Sequence, residues 1–405
     1  MKLVVCILSS AILGWAALRP DGGTVELVVA GNLKGNLAPC GCSKPMIGGI
    51  KRWATAVRKL QDQGDTVVVV NGGMTEGDGR QMAIKSETLA EMFRSVGVAA
   101  INITGADLQL GSEAIRIIER LSGGVVTSLE PGAGQFSDDH SPRQAGPFLI
   151  CGVEDLKQEQ LDEWIPPFIE EAKSKGKAPI LLLFANESVA KNIANQFPSI
   201  AAIVYVSSNV MSTPIKVGQT WLLTPGEKGK FMVSATWDGA KFTRYRCVEL
   251  GPEFADDPKV SEIYNRYLER VGAEKILDMV PRTTNEEFAG SQSCANCHDE
   301  AYQTWLKSKH AKALDTLEAE KHDRDPDCVS CHVVGLESSV GFMNRAETPH
   351  LAGVGCESCH GAGKAHSEDP KKKLGTAGPS SCVKCHVPDH SPKFDFPTYW
   401  EKIKH

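Results

Sequence analysis

The stretch Gly353–His366, GVGCESCHGAGKAH, decides how the C-terminal part of this chain is interpreted. It holds two cysteines three positions apart, a histidine directly after the second cysteine, and another histidine six positions later. The same Cys-x-x-Cys-His pentapeptide occurs as CANCH, CVSCH, CESCH and CVKCH, beginning at Cys294, Cys328, Cys356 and Cys382. Four copies so close together are far more than chance supplies.

Each pentapeptide is typical of a covalent haem c attachment site, where both thiols add to the porphyrin vinyl groups and the histidine binds iron. The sequence therefore predicts four covalently bound haem c groups. Zinc is the less favoured alternative, because zinc sites with two thiols and two imidazoles use a separated histidine pair. Structural disulfides would not require the histidine at all. The predicted attachment cysteines are Cys294, Cys297, Cys328, Cys331, Cys356, Cys359, Cys382 and Cys385, and the predicted proximal iron ligands are His298, His332, His360 and His386.

Composition limits the remaining interpretations. The chain has 405 residues, is 41% hydrophobic and carries a net charge of −6, which suggests two domains and gives no indication of nucleic-acid binding. Of its eleven histidines, only His140 precedes residue 298. The haem motifs and the other histidines define a domain at 289–405. It has few apolar runs, so we expect short helices and loops wrapped around porphyrin.

The N-terminus predicts export. An apolar run from Leu3 to Leu18 follows a single lysine, which fits a signal peptide at residues 1–18, with an uncleaved anchor as the alternative. Haem c attachment also takes place outside the cytoplasmic membrane. We therefore expect a periplasmic or extracellular, cell-surface protein.

Residues 22–252 predict an α/β domain, because buried strand-like runs such as TVVVVNGG alternate with amphipathic helical stretches such as SEAIRIIERL. Three further strand-like segments end this part of the chain. Residues 253–288 predict a helical connector. Cys151 and Cys247 fall in strands and indicate no function. Four interpretations of Cys40 and Cys42, in APCGC, remain open. These cysteines form a disulfide, act as a redox-active pair, bind a metal, or lie in a turn that has no function.

The order of features in residues 24–250 resembles the metallophosphoesterase domain of the 5′-nucleotidase family. That family carries Asn-Asp-x-His-Gly, Gly-Gly with a following arginine, Gly-Asp, Gly-Asn-His-Glu and Gly-His-x-His motifs in this order. Gly48, Gly49 and Arg52 match the family. The family's metal ligands are replaced at Asn32, Lys34, Gly73 and Ala106, and the segment Val206–Val210 has no histidine.

A two-metal phosphatase needs a bridging carboxylate and several imidazoles. The resemblance therefore implies a metallophosphoesterase-like sandwich that no longer catalyses hydrolysis and serves as a scaffold. A rearranged metal site built from Asp107, Asp78 and Glu76 is the alternative. A nucleotide hydrolase with a haem appendage is the corresponding alternative function.

Residues 290–405 are similar to the tetrahaem cytochrome c-554 family of nitrifying bacteria. The similarity lies in CANCHDEAYQTWLKSKHAKAL, DPDCVSCHVVG, LAGVGCESCHGAGKAH and CVKCH with FDFPTYWEKIKH. It implies a small, mainly α multihaem domain with closely packed haems, and distal ligands at His310, His366 and His405. It also implies that the second haem is open on one side. His350 departs from the family pattern and is a candidate to close that position.

These predictions favour an electron carrier with mostly bis-histidine haems, which exchanges electrons with redox partner proteins, over an enzyme. The alternative is a redox enzyme that acts on nitric oxide, hydroxylamine or nitrite at an open second haem. Association with a membrane surface and oligomerisation are both compatible with the sequence.

Overall fold

A computed structural model describes residues 23–39, 45–129, 141–154 and 156–405. The predicted signal peptide, Cys40, Cys42 and His140 lie outside these ranges. The strands are β1 Val25–Gly31, β2 Thr66–Asn71, β3 Val98–Asn102, β4 Val126–Thr127, β5 Arg143–Ala145, β6 Phe148–Glu154, β7 Ala178–Phe184, β8 Ala202–Val204, β9 Ile215–Val217, β10 Thr220–Leu223, β11 Phe231–Trp237 and β12 Phe242–Glu249.

The longer helices belong to the N-terminal part, and the helices of the haem-motif region have at most eight residues. The first group comprises α1 Ile50–Gln61, α2 Arg80–Val96, α3 Gly105–Leu108, α4 Ser112–Ser122, α5 Gln158–Ser174, α6 Glu187–Gln196 and α7 Pro258–Ala273. The second comprises α8 Ser291–Cys294, α9 Asp299–Leu306, α10 Ala313–Ala319, α11 Pro326–Val329, α12 Cys356–His360, α13 Lys364–Glu368, α14 Pro379–Cys382 and α15 Phe396–Trp400.

Two six-stranded sheets pack face to face in the N-terminal part. One has the order β12-β11-β1-β2-β3-β4 and the other β5-β6-β7-β8-β10-β9. The inner strands are parallel, as expected for strands joined by helical crossovers, while β11, β12, β5 and β9 pair antiparallel. Apolar residues from both sheets fill the space between them, including the clustered rings of Phe148, Trp221, Trp237 and Phe242.

Helices cover the outer faces of both sheets, which makes the domain a four-layer sandwich. Helices α1, α2 and α4 bury their apolar faces on the first sheet, and α5 and α6 cover the second. Helix α7, from the predicted connector, adds Val260, Ile263 and Val271 to the core of the first sheet. It follows that α7 is packed into the sandwich along its length.

The haem-motif region has only a small apolar core of its own. Leu314, Leu317, Val329, Val333 and Phe342 are its main buried residues. Most other residues of this region lie in short helices and loops that leave much of their surface exposed. Within the described ranges, every helix is too short or too polar to cross a lipid bilayer.

Candidate haem-binding site

Each Cys-x-x-Cys-His motif forms a single helical turn. The amide of His298 donates to the carbonyl oxygen of Cys294 at 2.9 Å, and that of His386 donates to Cys382 at 2.9 Å. In the second motif the amide of His332 donates instead to the carbonyl oxygen of Val329, which is one residue after the first cysteine of that motif. A turn of this kind brings the two thiols and the imidazole of one motif close together, which covalent attachment and iron ligation both require.

Three imidazole pairs join predicted proximal and distal ligands. The ring centroids are 6.3 Å apart for His298 and His366, 6.2 Å for His310 and His386, and 5.9 Å for His360 and His405. A metal ion about 2 Å from each facing ring nitrogen separates two imidazole centroids by roughly 6 Å. These three pairs therefore have the spacing that an iron between two imidazoles requires.

For four of the predicted iron ligands, a hydrogen bond fixes which ring nitrogen remains available to iron. A carbonyl oxygen only accepts, so an imidazole bonded to it through Nδ1 carries its proton there and keeps the Nε2 lone pair for iron. The Nδ1–carbonyl pairs are His332 with Ala313 at 2.7 Å, His360 with Gly375 at 2.9 Å, His366 with Lys372 at 2.5 Å and His405 with Ile403 at 3.0 Å.

The fourth motif differs in its hydrogen-bond partner. Nδ1 of His386 lies 2.8 Å from the hydroxyl oxygen of Ser391, and the ring stacks on Phe394 at 4.9 Å. Burial lowers the pKa of His386. Burial, and then the charges of His386 and His332, lower the pKa of His310. The lowered pKa of each ring favours its neutral form, which is the form that ligates iron.

His332 is the predicted proximal ligand whose ring is not paired with a second histidine ring in the described residues. Among the described residues, no second histidine ring faces it at the spacing of the other three pairs. His350 is exposed, and its ring lies beside Gly290 instead of on another histidine. His322 hydrogen-bonds the hydroxyl of Tyr264 through Nε2, at 3.3 Å. The arrangement leaves one face of the second motif without a histidine from the described chain.

Specific contacts bring the motifs together. The amide of Cys356, in the third motif, donates at 3.1 Å to the hydroxyl oxygen of Ser291, in the helix that ends at Cys294 of the first. The hydroxyl of Ser381, next to Cys382 of the fourth motif, donates at 3.1 Å to the carbonyl oxygen of Cys359 of the third. Ala313, which accepts from Nδ1 of His332 in the second motif, lies three residues after His310, whose ring faces His386 of the fourth. The motifs are thus neighbours in the spatial order first, third, fourth, second.

Sequence reasoning missed two groups that support these motifs. Glu357, between the thiols of the third motif, is buried and accepts hydrogen bonds from the amides of Ala289, Gly290 and Gly363. It thereby ties the third motif to the start of the region. Ser391 is the second group. Nothing in its local sequence indicates that it contacts His386, a predicted iron ligand.

Protein atoms fill the place where the resemblance to the 5′-nucleotidase family implies a metal site. Gly73 stands where the family carries a metal-binding aspartate, and its φ is +59°. A Cβ at this position would lie 2.8 Å from Cε2 of Phe184 and 3.2 Å from Cα of Asn32. Lys34, in place of a histidine, approaches Glu227 at 3.3 Å and Glu76 at 3.7 Å. These residues do not fit a pair of metal ions.

Asp107, Asp78 and Glu76, the residues of the alternative metal site, do not form a group of metal ligands. The carboxylate of Asp107 accepts hydrogen bonds from the amides of Gly73 and Met74 and from the hydroxyl of Thr104. Burial raises its pKa, against these hydrogen bonds. Asp78 and Glu76 are exposed, and in the parts of the chain that the structure describes no group of three such ligands could hold an ion. Asp107 instead ties together the loops that follow β2 and β3.

Residues 293–361 match the family model of cytochrome c554 and c-prime. Cytochrome c-554 of Nitrosomonas europaea is 36% identical over 100 residues, which cover 21% of this chain and 43% of that protein. The predicted resemblance of the C-terminal region to cytochrome c-554 is confirmed. This region matches a cytochrome c domain, and its thiols and imidazoles fit covalently bound haem c.

Solved structures resemble the sandwich. A 5′-nucleotidase precursor from Thermus thermophilus superposes with a TM-score of 0.50 at 14% identity, over 67% of this chain and 63% of that one. An NAD nucleotidase from Haemophilus influenzae gives 0.50 at 12% identity over the same shares. The chain thus spans less than two thirds of each of these relatives and of the cytochrome. The predicted metallophosphoesterase-like fold is confirmed.

Proposed function

We propose that this protein is an exported electron carrier that holds four haem c groups, mostly between two histidines, on a non-catalytic sandwich. The observation that carries the proposal is the set of three facing imidazole pairs, each joining a motif histidine to one outside its motif. An iron with two protein ligands has no vacant position, so its chemistry is confined to electron transfer.

Haem c, when bound, supplies one-electron exchange between ferrous and ferric iron. The chain's own residues hold and order the sites. The contact between Ser291 and Cys356, the contact between Ser381 and Cys359, and the pairing of His310 with His386 close to His332 support one continuous series of the motifs, in the order first, third, fourth, second. The first and second motifs stand at its two ends. We infer that electrons pass along this series from one end to the other.

The proposed role of the sandwich is to hold the second and fourth motifs. Asp327, just before Cys328, forms an ion pair with Lys85 of α2. Its neighbour Asp325 accepts a hydrogen bond from the hydroxyl of Tyr267 at 2.9 Å. Asp389, just after the fourth motif, bonds two further lysines of the sandwich. These contacts support a scaffold that fixes one half of the series.

The lost metal site supports the absence of phosphatase activity. The ring of Phe184 occupies the space that a side chain at Gly73 would need. Export is proposed from the apolar run that precedes Leu18 and from the attachment chemistry of haem c.

Intact-mass analysis and low-temperature spectra of protein secreted from cells that attach haem c would test the proposal. We expect the mass of the processed chain plus four haem groups and a predominantly low-spin ferric spectrum. A bare polypeptide or a zinc-loaded one would contradict the haem assignment. Secretion of haem-loaded protein with mainly high-spin iron would contradict the bis-histidine part alone.

One observation favours a second candidate function. His332 faces no second histidine ring among the described residues, so the chain supplies one imidazole to the second motif. An iron with one protein ligand binds small molecules. The alternative is therefore a redox enzyme acting on nitric oxide, hydroxylamine or nitrite at this site.

A further inference from the structure

The last part of the chain differs in charge from the rest. Residues 361–405 contain eight lysines and five carboxylate side chains, whereas the whole chain has 44 basic and 50 acidic residues. A local positive excess on a protein of net charge −6 attracts acidic surfaces and orients their approach.

Three consecutive lysines, Lys371–Lys373, form the centre of this excess, and all three are exposed. Nearby lysines have acidic neighbours, since Lys364 approaches Glu368 at 3.4 Å and Lys404 approaches Glu401 at 2.6 Å. Within the described ranges, the lysines of this loop form no ion pair. Their charge is therefore available to a partner.

The backbone of this loop and of the residues just after it contacts two predicted iron ligands. The carbonyl of Lys372 accepts from Nδ1 of His366 at 2.5 Å, and that of Gly375 accepts from Nδ1 of His360 at 2.9 Å. The loop is also held in a turn, because Asp369 accepts bonds from the amides of Lys371 and Lys372. A protein docked on these lysines would therefore contact a segment that is hydrogen-bonded directly to predicted iron ligands of the first and third motifs.

We propose that the loop Lys371–Lys373 is the docking surface for an acidic one-electron redox protein. The inference rests on the proposed function and adds the place where electrons enter or leave. One electron leaves the reduced partner and reduces a ferric iron held by His366 or His360. No bond is made or broken and no proton is transferred. The loop therefore borders predicted ligands of the first and third motifs.

An anionic membrane is the other chemistry that attracts lysines, and the loop fits it less well. Segments that hold proteins on anionic lipid carry roughly four to eight basic residues. The loop has three, and Leu374 beside them is half-buried. Among the described residues, the large exposed apolar side chains lie elsewhere, at Met211, Met279, Leu306, Val340 and Val383. A protein partner that needs access to the iron ligands accounts for the loop better.

The test compares two haem-loaded, full-length variants with equal net charge. One is Lys371→Gln, Lys372→Gln, Lys373→Gln. The control is Lys173→Gln, Lys175→Gln, Lys191→Gln, which removes three lysines paired with glutamates on α5 and α6 of the sandwich. Such exposed pairs contribute little to stability, so the control should fold normally.

The probe is a plant-type [2Fe–2S] ferredoxin, which is acidic. Affinity for the oxidised ferredoxin would be measured by calorimetry at low salt, and electron transfer from the reduced form by stopped flow. We expect the loop variant to lose about tenfold in both affinity and rate and most of its salt dependence, since steering by surface charge acts on association. We expect the control to stay within about twofold of wild type.

Unchanged affinity in the loop variant, or an equal loss in the control, would overturn the docking site. Lysine-dependent sedimentation with phosphatidylglycerol vesicles, without ferredoxin binding, would also overturn it and point to a membrane. The low-spin spectrum of each variant separates this inference from the proposed function. Haem-loaded protein with unaltered ferredoxin affinity contradicts only the docking surface, whereas protein without haem contradicts the function itself.

Discussion

The imidazole rings of His298 and His366 lie 6.3 Å apart, centroid to centroid, with their planes 28° from parallel. The two residues belong to different helical segments, and the carbonyl of Lys372 fixes the proton of His366 on Nδ1. This relationship makes the first motif a six-coordinate site in the proposed function.

Replacing His366 with alanine should therefore convert the first-motif iron from low spin to high spin. We expect the integrated low-spin electron paramagnetic resonance signal to fall by the contribution of one iron. His322→Ala is the control, because Nε2 of His322 hydrogen-bonds Tyr264 and should leave the signal unchanged. An unaltered low-spin signal in His366→Ala would remove His366 from the ligand set.

Nitric oxide should bind one iron per chain, at the second motif, because no second histidine ring faces His332 in the described chain. A titration followed by the Soret band should saturate at a single equivalent. His350→Ala should give the same stoichiometry, since the ring of His350 lies beside Gly290. Binding that appears only in His350→Ala would show that His350 closes the site.

Ser391→Ala should raise the reduction potential of the fourth-motif iron. Its hydroxyl oxygen lies 2.8 Å from Nδ1 of His386, and an acceptor there makes the imidazole a stronger donor to ferric iron. Loss of one hydrogen bond worth about 1 kcal/mol corresponds to roughly 40 mV for a one-electron couple.

Spectroelectrochemistry would resolve this shift. Ser391→Thr, which keeps a hydroxyl, should restore the wild-type potential. Ser339→Ala is the control, because its hydroxyl bonds the side chain of Asn285. A potential that does not move in Ser391→Ala would mean that the serine has no effect on the ligand.

Asp389→Asn should weaken the attachment of the fourth motif to the sandwich. Lys228 and Lys230 bond this carboxylate, and these hydrogen bonds, first from Lys228 and then from Lys230, lower its pKa from 3.8 to about 2. Because the folded pKa is depressed, the stabilisation is fully present above pH 4 and is lost as the pH falls from about 4 to about 2.

The three side chains are partly exposed, so we expect a loss of about 1 kcal/mol at pH 7. Denaturant unfolding followed by the Soret band would measure it. The difference between Asp389→Asn and wild type should vanish near pH 2. Glu269→Gln is the control, because it also removes one negative charge, from an exposed position on α7. It should leave the unfolding free energy unaltered. A difference that persists undiminished at pH 2 would contradict the ion-pair account.

The wild-type protein should release no phosphate from nucleotides in the presence of manganese or zinc. Gly73→Asp should not restore activity and should destabilise the sandwich, because the new side chain meets Phe184 at a φ of +59°. The cost should exceed the roughly 1–3 kcal/mol of the backbone strain alone. Gly77→Asp is the matched control, since its φ is +90° but nothing lies within 4 Å of its Cβ. Steady turnover by the wild type would overturn the scaffold role.

The parts of the haem sites that depend on local spacing could be predicted from sequence. A Cys-x-x-Cys-His turn brings its thiols and imidazole together by backbone geometry alone, so the four motifs were evident. Which distal histidine meets which motif depends on the tertiary fold. His366 follows the third motif by six positions yet faces His298 of the first. Spacing along the chain gave no sign of that pairing.

At the place of the metal site that the 5′-nucleotidase resemblance implies, the sequence again predicted the local chemistry but not the packing. The loss of ligands was visible, because Asn32, Lys34 and Gly73 lack the chemistry that two metal ions need. That Phe184, from a distant strand, fills the space beside Gly73 depends on packing between the two sheets. The lysines that hold Asp389 were equally hidden, since they lie far from it in sequence.

The facing imidazoles have a consequence for how this protein responds to iron supply. Each iron held between two facing imidazoles would close a long loop between two distant histidines, as a cross-link does, while the apolar core of the C-terminal region is small. The sandwich has its own cores between and outside its sheets. In iron-starved cells the N-terminal half should therefore still fold, whereas the C-terminal half should be degraded by proteases, so that iron limitation removes the redox function first.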